Sequence, residues 1–304
     1  MVRAVFFGSS DSVFSHRHFQ ALAAGGCEVA CVVDVPPARR ASTNSSRQEG
    51  GSFVDFARKQ GIPCFEPASP NAAPFVEEIR ALNPDFFMAV GYMLLLKSAI
   101  LKVPRVIAAN FHASLLPAYR GKHPVFWALR NAEPWCGLTI HEMSSGLDTG
   151  DILFQVRVPT RDDDSVSTLY DRIMGASVPL VPVLVEAVAR GNVPRTPQPE
   201  AVASYFGGTS ESDFRISWSM EATRIARWVT ATPGQCFVDL DGKRFFLLDA
   251  RASAIVSDAP AGTALDLRPD CCRVAAARGS VEIRRVRRAD GAEISARDMF
   301  SGGR

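Results

Sequence analysis

The chain lacks a charge excess of either sign. Its 34 Lys and Arg face 32 Asp and Glu, a net charge of +2 over 304 residues, and such a balance does not demand a polyelectrolyte partner. It also lacks a cysteine framework. The seven cysteines are odd in number and scattered. Cys271-Cys272 is the only close pair, and adjacent cysteines are poorly placed to chelate one metal ion, so free thiols in a reducing cytoplasm are expected and no metal site is. No apolar run approaches the roughly 20 residues of a membrane span. The N-terminus enters Val2–Phe7 directly, without the regions of a secretory leader. A cytoplasmic protein with no membrane partner is therefore expected. Finally, the turn after the first apolar run is Gly8-Ser9-Ser10 and not Gly-x-Gly-x-x-Gly, which argues against a dinucleotide site.

With 47% hydrophobic and 22% charged residues, the composition is that of an ordinary globular protein, and the length suits two domains. Short apolar runs at Val2–Phe7, Val29–Val33, Phe86–Val90, Val106–Ala109, Leu138–His141 and Ile152–Val156 read as strands. Helical patterns at Phe14–Ala24, Phe53–Lys59, Phe75–Leu82, Val125–Asn131 and Leu169–Arg190 alternate with them. The alternation predicts an α/β fold, a Rossmann-like and mostly parallel sheet with helices on both faces, over residues 1–190. The Pro-, Ser- and Arg-rich stretch from Val35 to Gly51 reads as a mobile surface loop, and residues 191–215, with Pro194, Pro197 and Pro199, as a linker. Beyond it, Ile216–Thr230 reads as one amphipathic helix. Phe237–Phe246 reads as a hairpin turning at Asp241-Gly242. Gly262–Leu267, Arg273–Ala277 and Val281–Val286 complete a small β domain over 216–304.

The informative segment lies between Asn110 and Asp151. Asn110 and His112 follow the buried run Val106–Ala109. In open α/β sheets ligands sit outside the carboxyl ends of strands, and residues two apart in extended backbone point the same way. After a helical interval comes Gly146-Leu147-Asp148-Thr149-Gly150-Asp151. An amide, an imidazole and a carboxylate at the ends of apolar runs suit acyl transfer, which needs donors for an oxyanion and a base for the attacking group. A capping Asn and a core His remain the alternative for Asn-x-His taken alone. Gly8, Ser9 and Ser10 can offer backbone amides to an anion or amine, or form a plain turn. Leu94 and Leu96, in Gly91-Tyr92-Met93-Leu94-Leu95-Leu96, read by themselves as helix core. His123 is a weak acceptor contact or a surface residue, and His16 and His18 fall on an exposed helix face. Arg284-Arg285-Val286-Arg287-Arg288 reads as a solvated strand edge, with nucleic-acid contact as the sharper alternative. Asp162-Asp163-Asp164 reads as a helix-capping loop.

The ordered combination Asn110-Phe111-His112-Ala113-Ser114-Leu115-Leu116-Pro117, Tyr119-Arg120-Gly121, Thr139-Ile140-His141 and Gly146-Leu147-Asp148-Thr149-Gly150-Asp151-Ile152-Leu153 resembles the folate-dependent formyltransferases. That group includes methionyl-tRNA formyltransferase, glycinamide ribonucleotide transformylase, and sugar and amino-acid N-formyltransferases. The resemblance implies Asn110, His112 and Asp148 as the catalytic trio and 10-formyltetrahydrofolate as donor and co-substrate. It further implies a pterin pocket with Leu94 and Leu96 on one wall, largely through backbone groups, and Ser144, Ser145 and Gly146 on the other, Gly8–Ser10 facing the acceptor, a catalytic domain over 1–190 and an OB-like C-terminal domain. Within that resemblance Asp148 is expected to raise the pKa of His112 and hold an imidazolium; His112 as general base is the alternative.

The acceptor is less determined. The tRNA-specific enzyme carries a Gly-Arg-Gly-Lys-Lys-like stretch after strand two, where this chain has only Arg39-Arg40 and Arg47 among Ser, Thr and Asn. It also carries small residues where this chain has Lys122-His123. These departures favour a small-molecule amine, an amino sugar nucleotide or an amino-acid-type metabolite, over tRNA. A hydrolase of 10-formyltetrahydrofolate and a catalytically silent folate-binding module are the remaining readings.

Overall fold

The computed structural model describes residues 1–40, 51–255 and 257–301. Its first sheet is built from β1 (Arg3–Gly8), β2 (Glu28–Asp34), β3 (Cys64–Phe65), β4 (Phe86–Val90), β5 (Ile107–His112), β7 (Trp135–Glu142) and β8 (Ile152–Pro159), in the order β3-β2-β1-β4-β5-β7-β8. A separate pair joins β6 (Arg120–Gly121) to β9 (Tyr205–Phe206). Contacts among β3, β2, β1, β4 and β5 are parallel, whereas β5 and β7 run antiparallel. The expected α/β architecture is present, with one reversed strand beside the site. The strands of the parallel part are apolar on both faces: Phe6 packs on Phe19 and Phe53 on one side, and Phe7 on Phe87 and Tyr92 on the other.

Helices α1 (Val13–Ala24), α2 (Phe53–Lys59), α3 (Ala73–Ala81), α4 (Ser98–Leu101) and α5 (Pro124–Arg130) intervene. The long helix expected at Leu169–Arg190 is two, α6 (Val166–Ser177) and α7 (Leu180–Ala189). Pro179 between them has no amide to donate and disfavours helical backbone at Val178. Taken together, Val166–Ala189 has a mean hydropathy of 1.6 over its most apolar window, long and apolar enough by composition to cross a membrane; in this fold Ile173, Val181, Leu184 and Val188 are buried core. Ahead of α6, the Asp164 carboxylate accepts from the Arg161 amide and the Thr168 hydroxyl, a capping arrangement. His16 and His18 do not face solvent. His18 is fully buried, 2.8 Å from the Phe14 carbonyl and 2.9 Å from the Ser177 hydroxyl.

The C-terminal part holds α8 (Ala222–Ala231), β10 (Phe237–Leu240), β11 (Lys243–Ser253), β12 (Ala264–Leu267), β13 (Cys272–Ala275), β14 (Ser280–Arg288), β15 (Glu293–Ser295) and α9 (Ala296–Ser301). The antiparallel order is β10-β11-β14-β13-β12, with β15 also on β14. The expected hairpin is present: Leu240 pairs with Lys243, and Asp241 and Gly242 both take positive φ, the geometry of a type I′ turn. Helix α8 begins later than its pattern suggested, because Ile216 bonds to the Phe237 carbonyl as an extended segment. Ala222, Ile225, Trp228 and Val229 line its buried stripe and join the cluster formed by Leu247, Val274, Val281 and Ile283.

The chain divides into two compact units, Met1–Pro124 with Cys136–Val158 and Tyr170–Phe206, and Val125–Trp135 with Pro159–Leu169 and everything from Gly207. In the second unit Arg130 of α5 stacks 3.6 Å over the Trp228 ring of α8, whose indole nitrogen donates to the Arg130 carbonyl. Of the loop from Val35 to Gly51, a short 3-10 turn at Pro37–Arg39 is described; Arg47 and the rest of residues 41–50 lie outside the described residues.

Candidate active site

Asn110 and His112 stand at the carboxyl end of β5, where Asn110 pairs with Ala89 of β4 on one side and with His141 of β7 on the other. Direct antiparallel partners carry their side chains on the same face. The Asn110 amide nitrogen therefore lies 3.0 Å from His141 Nε2. His141 Nδ1 faces the Glu142 carbonyl at 2.9 Å. A carbonyl only accepts, so Nδ1 carries the proton and neutral Nε2 accepts from Asn110. This fixes the amide's orientation and leaves its second N–H for another acceptor. His141 belongs to the Thr139-Ile140-His141 segment of the motif, and only its pairing with Asn110 shows what it touches.

His112 is 7% exposed, and its Nε2 lies 2.8 Å from the Tyr119 carbonyl. By the same logic Nε2–H donates, so in the neutral ring Nδ1 presents its lone pair. That nitrogen faces Asp148 Oδ2 at 3.7 Å, while Asp148 Oδ1 lies 3.4 Å from His141 Nε2. The structure thus brings the expected trio together, with His141 as a fourth member. Asp148 takes a φ of 54°, a left-handed conformation that short polar side chains tolerate best, and its Oδ2 accepts the Gly121 amide at 2.8 Å. Two glycines let the backbones approach. A Cβ on Gly150 would lie 1.8 Å from the Glu142 carbonyl oxygen, and one on Gly121, at φ +100°, 2.2 Å from that of Phe206.

The electrostatics depart from expectation at His112. Burial lowers its pKa below the ordinary value, and His141 adds to this; Asp148 and the Tyr119 carbonyl raise it but do not prevail. Asp148 is the reverse case. Burial favours its neutral form, but contact with His141, the pull of both imidazoles when protonated and the Gly121 amide together bring it down to about 2. The site at neutral pH holds a carboxylate beside a neutral, proton-accepting imidazole.

The outlying candidates divide. The Leu96 side chain is 1% exposed, in the core with Phe87 and Ile100, which leaves its backbone groups as what it can offer a ligand. Leu94 is half-buried, while Met93 and Leu95 are 47% and 58% exposed. In the other loop Ser144 bonds to Thr149 at 2.9 Å, Ser145 and Gly146 are exposed, and Leu147 is 55% exposed. Large apolar side chains left in solvent on both loops fit a flat aromatic ligand. The amides of Ser9 and Ser10 are not free for an anion: they donate to Ser15 Oγ at 3.1 Å and to Asp34 Oδ1 at 2.9 Å. Gly8 is part of β1, and His123 is exposed. The arginines of β14 do not lie on a sheet edge, since that strand pairs with β11, β13 and β15. Arg284 faces Glu282, Arg285 faces Glu293, Arg288 faces Asp290, and Arg287 donates to the Gly234 carbonyl.

Residues 2–185 match the formyl transferase family and residues 209–304 the formyl transferase C-terminal domain. A methionyl-tRNA formyltransferase of Pseudomonas putida strain GB-1 is 31% identical over 305 residues, spanning 100% of this chain and 96% of its own. An N-formyltransferase from Helicobacter canadensis, solved with folinic acid and dTDP-3-aminofucose, superposes with a TM-score of 0.71 at 15% identity, over 93% of this chain and 99% of that one. HypX from Aquifex aeolicus, solved with tetrahydrofolic acid, gives 0.61 at 19% identity; 98% of this chain covers 46% of that longer one. Matched through both its parts and along its whole length, the chain belongs to the folate-dependent formyltransferases.

Proposed function

We propose that the formyl group of 10-formyltetrahydrofolate passes to a primary amine over Asn110, His112 and Asp148. The observation that supports these roles is the hydrogen-bond pattern around the trio. Bound 10-formyltetrahydrofolate supplies the carbon at the acyl oxidation level. Asn110, oriented by His141, offers its remaining N–H to the oxygen that becomes negative as the amine nitrogen adds; one such donor is worth about 3 kcal/mol. His112 Nδ1, neutral and unprotonated, takes the proton the attacking amine must lose. Asp148 stabilises the imidazolium so formed, and the Nε2–H bond to the Tyr119 carbonyl keeps Nδ1 aimed. The proton then leaves His112 for the departing nitrogen, which restores the neutral ring.

For the acceptor, the near full-length relatives support methionyl-tRNA, against the small amine that the loop composition favours. The second reading, a small amine, rests on one observation: the arginines of β14 are already matched by acids or carbonyls. Neutralised side chains release few counterions from a phosphate backbone. The test is formyl transfer to charged initiator tRNA across a salt series, beside an amine panel that includes amino sugar nucleotides. Efficient transfer to the tRNA, weakening steeply with salt, supports the first reading. Turnover on an amine with no transfer to tRNA overturns it.

A further inference from the structure

Behind the Asp148 loop lies a buried polar strap. Residues 191–215 lack any regular pattern and carry prolines, yet Thr196 bonds to Ile152 in both directions at 2.8 and 2.9 Å, anchoring the segment beside the loop. Gln198 stands between Pro197 and Pro199, and the residue before a proline is held extended. It is 9% exposed and uses both ends of its amide. Nε2 donates to the carbonyl of Asp148 at 2.8 Å and to that of Gly150 at 2.6 Å. Oε1 accepts from Arg120 Nε at 3.0 Å and Nη2 at 2.8 Å. Arginine only donates and backbone carbonyls only accept, so the amide has one possible orientation. Arg120 itself is fully buried. Its guanidinium is held from the far side by Glu200, at 2.7 and 3.0 Å, and by the Tyr205 hydroxyl. The next residue, Gly121, donates its amide to the Asp148 carboxylate. Arg120 and Gln198 therefore reach Asp148 by two routes, one through its backbone carbonyl and one through its side chain.

A fully buried arginine and a glutamine with every hydrogen-bonding group satisfied rigidify the segments they join. Asp148 also occupies left-handed backbone, a conformation that persists where its surroundings over-determine it. We propose that Gln198, locked by Arg120, is a positioning residue that holds the Asp148 loop so that the carboxylate faces His112 Nδ1. The proposal rests on the assignment of Asp148 to the catalytic trio. It adds a requirement on a part of the chain distant in sequence from every motif residue.

The test is a double-mutant cycle in kcat between Gln198→Met and Asp148→Asn, with Gln198→Glu as a second probe. Gln198→Met removes both donors and both acceptor contacts at similar volume. Gln198→Glu keeps the Arg120 contact but turns an acceptor toward two carbonyls. In each, kcat should fall about tenfold or more, since small misplacements of a reacting group cost this much. KM for 10-formyltetrahydrofolate should stay within about threefold. The acid limb of the pH profile should move down, the direction Asp148→Asn moves it, because a displaced carboxylate no longer raises the His112 pKa. In the Asp148→Asn background Gln198→Met should cost little more, because residues that act through one another are not additive. Full additivity, or folded Gln198 variants with wild-type kcat and pH profile, overturns the positioning role alone. Wild-type turnover in Asp148→Asn instead overturns the trio. Should Gln198→Glu not fold, the cycle with Gln198→Met decides.

Discussion

Replacing Asp148 by asparagine keeps the shape of the side chain and removes its charge. Burial favours the neutral acid here, yet contact with His141, the two imidazoles when protonated and the Gly121 amide hold the carboxyl at about 2, against an ordinary 3.8. A difference of nearly two units is about 2 kcal/mol in favour of the folded carboxylate, and with the side chain 12% exposed little of it is screened. Because the folded value is depressed, this stability is present above 3.8 and is lost as pH falls through about 2. Because the His112 imidazole, which supplies part of it, is neutral at neutral pH, Asp148→Asn should forfeit only the remainder there and melt at most a few degrees lower. The effect on rate should be larger. No carboxylate then faces the imidazolium formed when His112 takes the proton, and kcat/KM should fall by about a hundredfold or more. The pH profile gives the sharper sign. Burial already puts the His112 pKa below 6.5, so the wild-type acid limb lies below that value. Asp148 is the larger of the two influences that raise it, so the asparagine variant's limb should move further down. Formyl transfer measured as kcat/KM over the acid range, on enzyme shown to be folded at each pH, reads both effects. A plateau within about threefold of wild type, or a limb that moves up, refutes the reasoning.

Asn110→Ala and His112→Ala should each lower kcat by at least about a hundredfold while remaining folded; near-normal turnover in either, with an authentic acceptor, removes that residue from the mechanism. Thermal melts should show stabilisation by a formylated folate and none by NAD, since binding to the native state raises the melting temperature by mass action; the opposite result would overturn the folate pocket at residues 91–96 and 144–148. Burial pulls His18 from 6.5 down to about 4, over the raising effect of the Phe14 carbonyl. Stability that is full above 6.5 should therefore decline by about 3 kcal/mol as pH falls to about 4. Urea unfolding across that window should show the decline, and His18→Gln should flatten it.

Much of the candidate site is legible in the sequence because it depends on local rules. A buried apolar run ends in Asn110 and His112, and two-residue alternation puts both side chains on one face. Gly146 and Gly150 announce the tight loop that carries Asp148. The same rules locate six strands of the first sheet, though not the two-residue β3, and the Asp241-Gly242 hairpin. Even the break at Pro179 is written in the chain, where apolar spacing masked it. What local rules do not contain is the pairing of distant segments. β7 returns antiparallel to β5, and only that register sets His141 against Asn110. The strap at Thr196–Phe206 resembles a linker by composition, and its buried hydrogen bonds to Arg120 and the Asp148 loop exist only once the two segments meet. The direction of the His112 pKa is likewise tertiary. The sequence supplies the attracting carboxylate, but desolvation is the summed effect of every neighbour that excludes water, and here it outweighs the carboxylate. Residue types and short-range geometry set what chemistry was available to this chain; burial and long-range register decided the protonation and aim of each group.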